Sequence, residues 1–135
     1  MSATNNEIIT FAFRKIGVIG ETQSPSAAQG VNALTIANDF FLNEAADGMR
    51  IGWFTQTNLA ATAPVRDQDI GPVKSLLAGA LAAHYGITIE ITSVLAAEIA
   101  DARRALTKRA LRYFESDLSE LSRPQGGPWG GPSWV

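Results

Sequence analysis

The sequence predicts a mainly α protein: a four-helix bundle-like domain with one short strand or hairpin segment and an extended C-terminal tail. Three observations predict it. Four stretches carry apolar residues at the three- and four-residue steps of a helix face, and three of them run into a glycine. Hydrophobic residues make up 46% of the 135 positions, enough for one core in one domain. Residues 122–135 then abandon helical spacing for proline, glycine and tryptophan.

The first helix is expected over Asn5–Ile16, where Ile8, Ala12 and Ile16 repeat at the i, i+4 spacing. Asn5 or Asn6 can cap it, and Glu7 suits the positive end of the helix dipole. Arg14 and Lys15 suit the other end. Gly17 is placed for a left-handed stop, with Val18 supplying the apolar contact of a Schellman motif. A loop then leads to Ser24-Pro25, which reads as N-cap and first helical residue. The second helix runs to about Asp47, with Gly48 as its stop. Ala27, Val31, Leu34, Phe41 and Ala45 share one of its faces, with Asn38 among them. Ile36 and Phe40, near Ala33, lie on the other side. A helix apolar on two sides has something packed on both.

Met49–Val65 has no helical period. Ile51, Trp53, Phe54, Thr55 and Thr57 favour extended backbone, so a strand or short hairpin is expected, followed by a polar loop over Pro64–Gly71. The third helix starts near Pro72, with Asp69 as N-cap, and ends at Gly86. Its apolar stripe is Val73, Leu76, Leu77, Ala80 and His84; Ser75, Gly79 and Ala82 on the reverse side let another helix approach closely. Ile87–Ile91 is a β-branched link. Thr92 or Ser93 then caps a fourth helix reaching about Leu121, roughly 40 Å long at 1.5 Å per residue. Leu95, Ile99, Ala102, Leu106, Ala110 and Tyr113 form its apolar stripe. Asp101, Arg104, Lys108 and Glu115 lie across from it on a solvated face. The chain thus divides into a helical domain, residues 1–121, and a Pro/Gly/Trp-rich tail, residues 122–135.

Composition narrows function by exclusion. There is no cysteine, which removes disulfides, thiolate catalysis and cysteine metal sites. With 11 basic and 13 acidic residues the formal net charge is −2, so no global positive field holds nucleic acid. No apolar run approaches the roughly 20 residues of a membrane span; the longest, Leu76–Ala83, is interrupted by Gly79. The polar start, Met1–Glu7, lacks the basic and apolar regions of a signal peptide. The expectation is a soluble protein without a membrane partner.

Nor does any motif for catalysis stand out. His84 is the only histidine, and its place on an apolar stripe near a helix C-terminus gives it a structural role. No serine sits in a G-x-S-x-G elbow. Asp67 and Asp69 are close together but have no third ligand nearby in sequence. No phosphate-cradling glycine motif occurs. No catalytic, cofactor or metal site is therefore assigned. Arg103, Arg104, Lys108, Arg109 and Arg112 form one basic cluster. It reads as a solvated face balanced by Glu98, Asp101 and Glu115, or as a contact for DNA phosphates. Trp129 and Trp134 are the residues least explained by folding. Tryptophans in a flexible polar tail suit anchoring on a partner, where one side chain can dominate affinity, and such a tail orders on binding.

Three stretches resemble one known family. ITFAFRKIGV, Ile9 to Val18, resembles an opening helix that ends A-x-R-K-[IL]-G-V. Ala33–Phe54 resembles a second helix leading through D-G to an aromatic pair. Ile70–Phe114 resembles a closing helical pair, an alanine-rich helix ending at Tyr-Gly before a long helix. In this order they resemble the head–tail adaptor family of short-tailed bacteriophages, also called tail accessory or head-completion proteins. The likeness covers most of residues 5–121. It departs where the family carries an extra tryptophan near the end of helix two; here the chain reads LNEAADGMRIGW, with Trp53 later.

The resemblance implies a virion protein at the head–tail junction: a ring of twelve protomers beneath the portal protein. The ring would extend the DNA channel without reading sequence and hold the downstream tail protein on its far side. By position, the segment that reaches the portal is Arg123, Pro124, Pro128, Trp129, Pro132, Trp134 and Val135. Ala33, Ile36 and Phe40 are expected to face the neighbouring protomer. Two other classes compete: a small helical DNA-binding regulator using Arg103–Arg112, and an enzyme such as a virion-borne wall hydrolase.

Overall fold

The computed structural model describes residues 3–46, 49, 51–90 and 92–121. It is mainly helical, with α1 at Asn5–Lys15, α2 at Ala27–Ala46, α3 at Ile70–His84 and α4 at Val94–Leu121. A single 3₁₀ turn, Asp67–Asp69, leads into α3. Helix α3 is the centre: α1, α2 and α4 all pack against it, whereas α2 and α4 make no extensive contact with each other. Its Val73, Leu76, Leu77, Ala78, Leu81 and Ala82 are buried. Around them lie Ile8, Ile9, Ala12 and Phe13 of α1, Ala33, Leu34, Ala37 and Phe41 of α2, and Ala102 and Leu106 of α4.

The ends of the helices follow local chemistry. Val18 N–H donates to the Phe13 carbonyl and Gly17 N–H to Arg14, the paired bonds of a Schellman motif, with Gly17 at φ +80°. The same pair closes α3, where Ile87 donates to Ala82 and Gly86 to Ala83, with Gly86 at φ +70°. Ser93 Oγ accepts from Ala96 N–H at the start of α4. Three expected caps move. Thr4, not Asn5 or Asn6, caps α1, accepting from Glu7 N–H at 3.2 Å, because Asn5 turns inward and is buried. Helix α2 starts at Ala27 rather than Pro25. Ser26 accepts from Gln29 N–H, and Gln29 Oε1 accepts from Ser26 N–H. Ser24 has alanine three residues on and cannot form that reciprocal box. Asp69 makes no cap bond, since its carboxylate is engaged elsewhere.

The expected strand or hairpin in Met49–Val65 does not form: no strand occurs among the described residues, and the segment's ladder is reduced to a lone antiparallel bridge, Thr4 with Thr62. Its backbone groups are satisfied instead by other parts of the chain. The free N–H groups of α1's first turn donate into it, Asn5 to Ala61 and Asn6 to Leu59, while Ala63 N–H donates to Ala3. Asn38 of α2 grips it by three bonds. It donates to the Gln56 carbonyl at 2.8 Å and accepts from Gln56 N–H at 2.9 Å and from Trp53 Nε1 at 3.0 Å. Asn5 Nδ2 donates to Gln56 Oε1 and to the Asn58 carbonyl. Held this way, the segment buries Ile51, Trp53, Ala63 and Val65, with the Trp53 ring 4.8 Å from Phe41.

Candidate functional site

The two apolar sides of α2 have different fates. One closes the core through Leu34, Ala37 and Phe41. The other opens into a groove. Ile36, Asp39, Phe40 and Asn43 form one wall, Ile89, Ala96, Ile99 and Arg103 the other, and Leu76, Gly79, Ala80 and Ala83 of α3 the floor. The cavity measures about 710 Å³. Small residues on α3 set its shape. At Gly79 a Cβ would stand 2.9 Å from Ile99 Cδ1, so the absence of a side chain lets α4 come close, as the sequence anticipated. Across the groove's end Arg103 donates to both carboxylate oxygens of Glu44, at 2.6 and 3.1 Å, tying α4 to α2.

This geometry corrects two expectations. Ala33, expected to face a neighbouring copy, is fully buried in the chain's own core and has no surface to offer, whereas Ile36 and Phe40 are half-buried at the groove wall. His84 is exposed, not part of the buried stripe. It lines the groove and stands edge-on to Tyr85 at 5.4 Å. Leu81 and Ala82 take the buried positions instead.

The basic cluster resolves into ion pairs with separate tasks. Besides Arg103–Glu44, Arg104 pairs with Asp101 at 3.0 Å. Arg109 donates to the Gln68 carbonyl at 2.9 Å and to Asp69 Oδ1. Asp69 is fully buried and also receives Arg66 Nε and Nη2 at 3.2 and 2.9 Å, so the acidic pair considered for a metal is divided and Asp69 fastens the start of α3 to α4. Lys108 is exposed. The Arg112 side chain lies outside the described ones.

Beside the groove, on α4, is a second shallow hollow lined by Ala100, Arg103, Arg104, Thr107, Lys108 and Leu111. Leu111 is 54% exposed. Phe54, one half of the aromatic pair, is 64% exposed while Trp53 is buried. Among the described residues no group of three or more His, Cys, Asp or Glu could hold a metal, and no helix is long and apolar enough to cross a membrane. Arg123, Pro124, Pro128, Trp129, Pro132, Trp134 and Val135, expected from the sequence to reach a portal, lie outside the described residues. No protein-family model and no curated protein sequence matches the chain.

Sequence reasoning found Ile36 and Phe40 from their phase on the α2 wheel. It missed Ala83, Ile89, Asp39 and the Arg103–Glu44 tie, because the groove exists only once α2 and α4 are set on either side of α3.

Proposed function

We propose that this chain is a head–tail adaptor of a short-tailed bacteriophage, acting by assembly and not as an enzyme. Copies form a ring on the portal protein, extend the DNA channel and offer the attachment site for a downstream tail protein. The observation that carries the reading is the groove. A domain with a complete core leaves an apolar cleft open along the second side of α2, and such surfaces mark sites of association. Ile36 and Phe40 would receive the neighbouring protomer there. A groove on one side of a subunit that takes a different surface of the next makes a head-to-tail contact, the kind that closes into rings. The ordered likeness of residues 5–121 to the adaptor family supplies the identity of the assembly, and the tail residues Arg123 to Val135 supply the contact with the portal.

Native mass spectrometry of the full chain, alone and with the portal of its phage, tests this. The expected result is a stoichiometric complex that is lost when residues 122–135 are removed. No complex with an intact portal ring, together with DNA binding that weakens steeply with salt, would replace it with the regulator reading. Against that alternative, three of the five basic residues of the cluster are already engaged with Glu44, Asp101 and Asp69.

A further inference from the structure

We propose that the groove takes one particular surface of a second copy of this chain: the uncharged ridge on the far side of α2, led by Phe54. The proposal deepens the adaptor reading and rests on it only for calling that copy a ring neighbour; the contact itself belongs to the chain alone.

The fold sets an exposed aromatic and a groove on opposite sides of one helix. On α2 the groove is walled by Ile36, Asp39, Phe40 and Asn43. At about 100° per residue, Asn38 is turned about 160° from Ile36 and Phe40 and about 140° from Asn43, and only Asp39 at the edge is nearer. Asn38 is the residue that holds the 53–56 segment, through its bonds to Trp53 and Gln56. Trp53 and Gln56 are buried, while Phe54 between them is exposed. Along α2, Val31, Thr35, Asn38 and Leu42 follow in steps of four, three and four and so share one side. Val31 and Leu42 are exposed there. Clamped on this side, Phe54 cannot turn into its own groove, so a groove that receives it belongs to another copy.

Charge marks the same side. The chain is 18% charged, yet neither residues 22–38 nor residues 51–65, which meet at Asn38, contain an Asp, Glu, Lys or Arg. The centre of an association surface is depleted of charge and enriched in aromatics, because taking a charge out of water opposes burial. The groove complements this ridge. Its floor, Leu76, Ala80 and Ala83, is apolar and low, and Phe40 at the wall offers an arriving ring an aromatic neighbour. The Arg103–Glu44 pair at its end is already closed within the chain, so a neutral ridge settles beside it without stranding a charge. At the lip, exposed Asp39 and Asn43 offer acceptors to the hydroxyls of Thr55 and Thr57, which flank Phe54 and its neighbour Gln56 on the exposed surface. With ridge and groove on opposite sides of α2, the contact is head-to-tail: each copy gives its ridge to one neighbour and its groove to the other.

The full chain has no cysteine, so single cysteines report the contact. Thr55→Cys marks the ridge and Asn43→Cys the groove wall, both at exposed positions. Mixed at high concentration with a short bismaleimide, the two chains should give a covalent dimer of mixed composition. Thr55→Cys alone should give no more dimer than a control mixture with Glu21→Cys, outside the groove. Direction is tested by blocking one surface at a time at exposed residues, Phe54→Asp on the ridge and Ala83→Arg on the groove floor, with far-UV circular dichroism showing that both keep the fold. Ala83→Arg in the Thr55→Cys chain and Phe54→Asp in the Asn43→Cys chain block only the surfaces this crosslink does not use. The mixed yield should then hold or rise. Exchanging the two blocks should reduce it to the control level. A mixed yield no higher than the control, crosslinks mainly between two Thr55→Cys chains, or a yield indifferent to the exchange would overturn the proposal. No portal is present: a portal complex without the crosslink keeps the adaptor reading and removes this contact, whereas the crosslink without a portal complex does the reverse.

Discussion

Replacing Asn38 by leucine removes three hydrogen bonds at once while keeping the number and branching of the side-chain heavy atoms. The bonds are the one donated to the Gln56 carbonyl and those accepted from Gln56 N–H and Trp53 Nε1. Each is worth about 1 kcal/mol net. All three are only part-buried, so water recovers some of the groups left behind and the full penalty of stranded donors does not apply. The loss is about 3 kcal/mol. An unfolding entropy of about 2.1 cal/mol/K per residue gives about 0.3 kcal/mol/K for a chain of this length, which makes the melting temperature fall by about 10 °C. Far-UV circular dichroism melts and guanidinium titrations measure it, with the slope of the titration checking that the unfolded surface is unchanged. In a Trp129→Phe, Trp134→Phe background, Trp53 emission should shift to the red even below the transition, because the indole loses its cover from water. A loss below about 0.5 kcal/mol would refute the reasoning. It would mean that residues 51–65 hold themselves, as a hairpin with its own ladder does, and that the side-chain clamp is incidental.

Two further predictions use the same logic. Arg109→Met leaves the fully buried Asp69 with Arg66 alone and should lower stability by about 2–3 kcal/mol, somewhat under the usual figure for breaking a buried pair because Arg109 is a third exposed. Arg104→Met, which breaks an exposed pair, should stay within about 0.5 kcal/mol when both variants are titrated with urea; a loss at Arg109→Met no larger than this would show that Asp69 does not depend on its second arginine. Gly86→Ala forces a side chain into a left-handed backbone with open space around it and should lose about 1–2 kcal/mol, whereas no loss on thermal melting would mean that α3 ends differently.

The stops of α1 and α3 were legible because each rests on local chemistry; Gly48, the expected stop of α2, lies outside the described residues. Gly17 and Gly86 end α1 and α3 as the pattern anticipates, and Ser93 caps α4. What failed was decided at a distance. Asn38 looked like an odd polar residue on an apolar side, and its meaning lies in residues fifteen to eighteen positions later. Val31 was grouped with the core but is 60% exposed. A helix with alanine at positions 27, 28, 33 and 37 offers several apolar arcs, and the wheel does not say which one meets α3. Residues 51–65 have β-forming side chains but no partner strand; their donors and acceptors are supplied by α1 and by two asparagines. Asp69 was read as a cap because aspartate is a common cap residue, yet Arg66 takes its Oδ2 and Arg109 its Oδ1.

The groove itself follows from a division of labour among small residues on α3. At Gly79 the absent side chain lets α4 come inward until Ile99 Cδ1 lies 2.9 Å from where a Cβ would be. One position on at Ala80, and a turn later at Ala83, the side chains are too short to reach across to α2. The same run therefore brings one helix close and leaves the other apart, with the Arg103–Glu44 pair spanning the gap. Had Ala80 and Ala83 been leucines, the cleft would be filled. The bundle is thus complete as a core and incomplete as a surface. That combination is what the adaptor role proposed above would require: a fold stable by itself and a surface left for another chain.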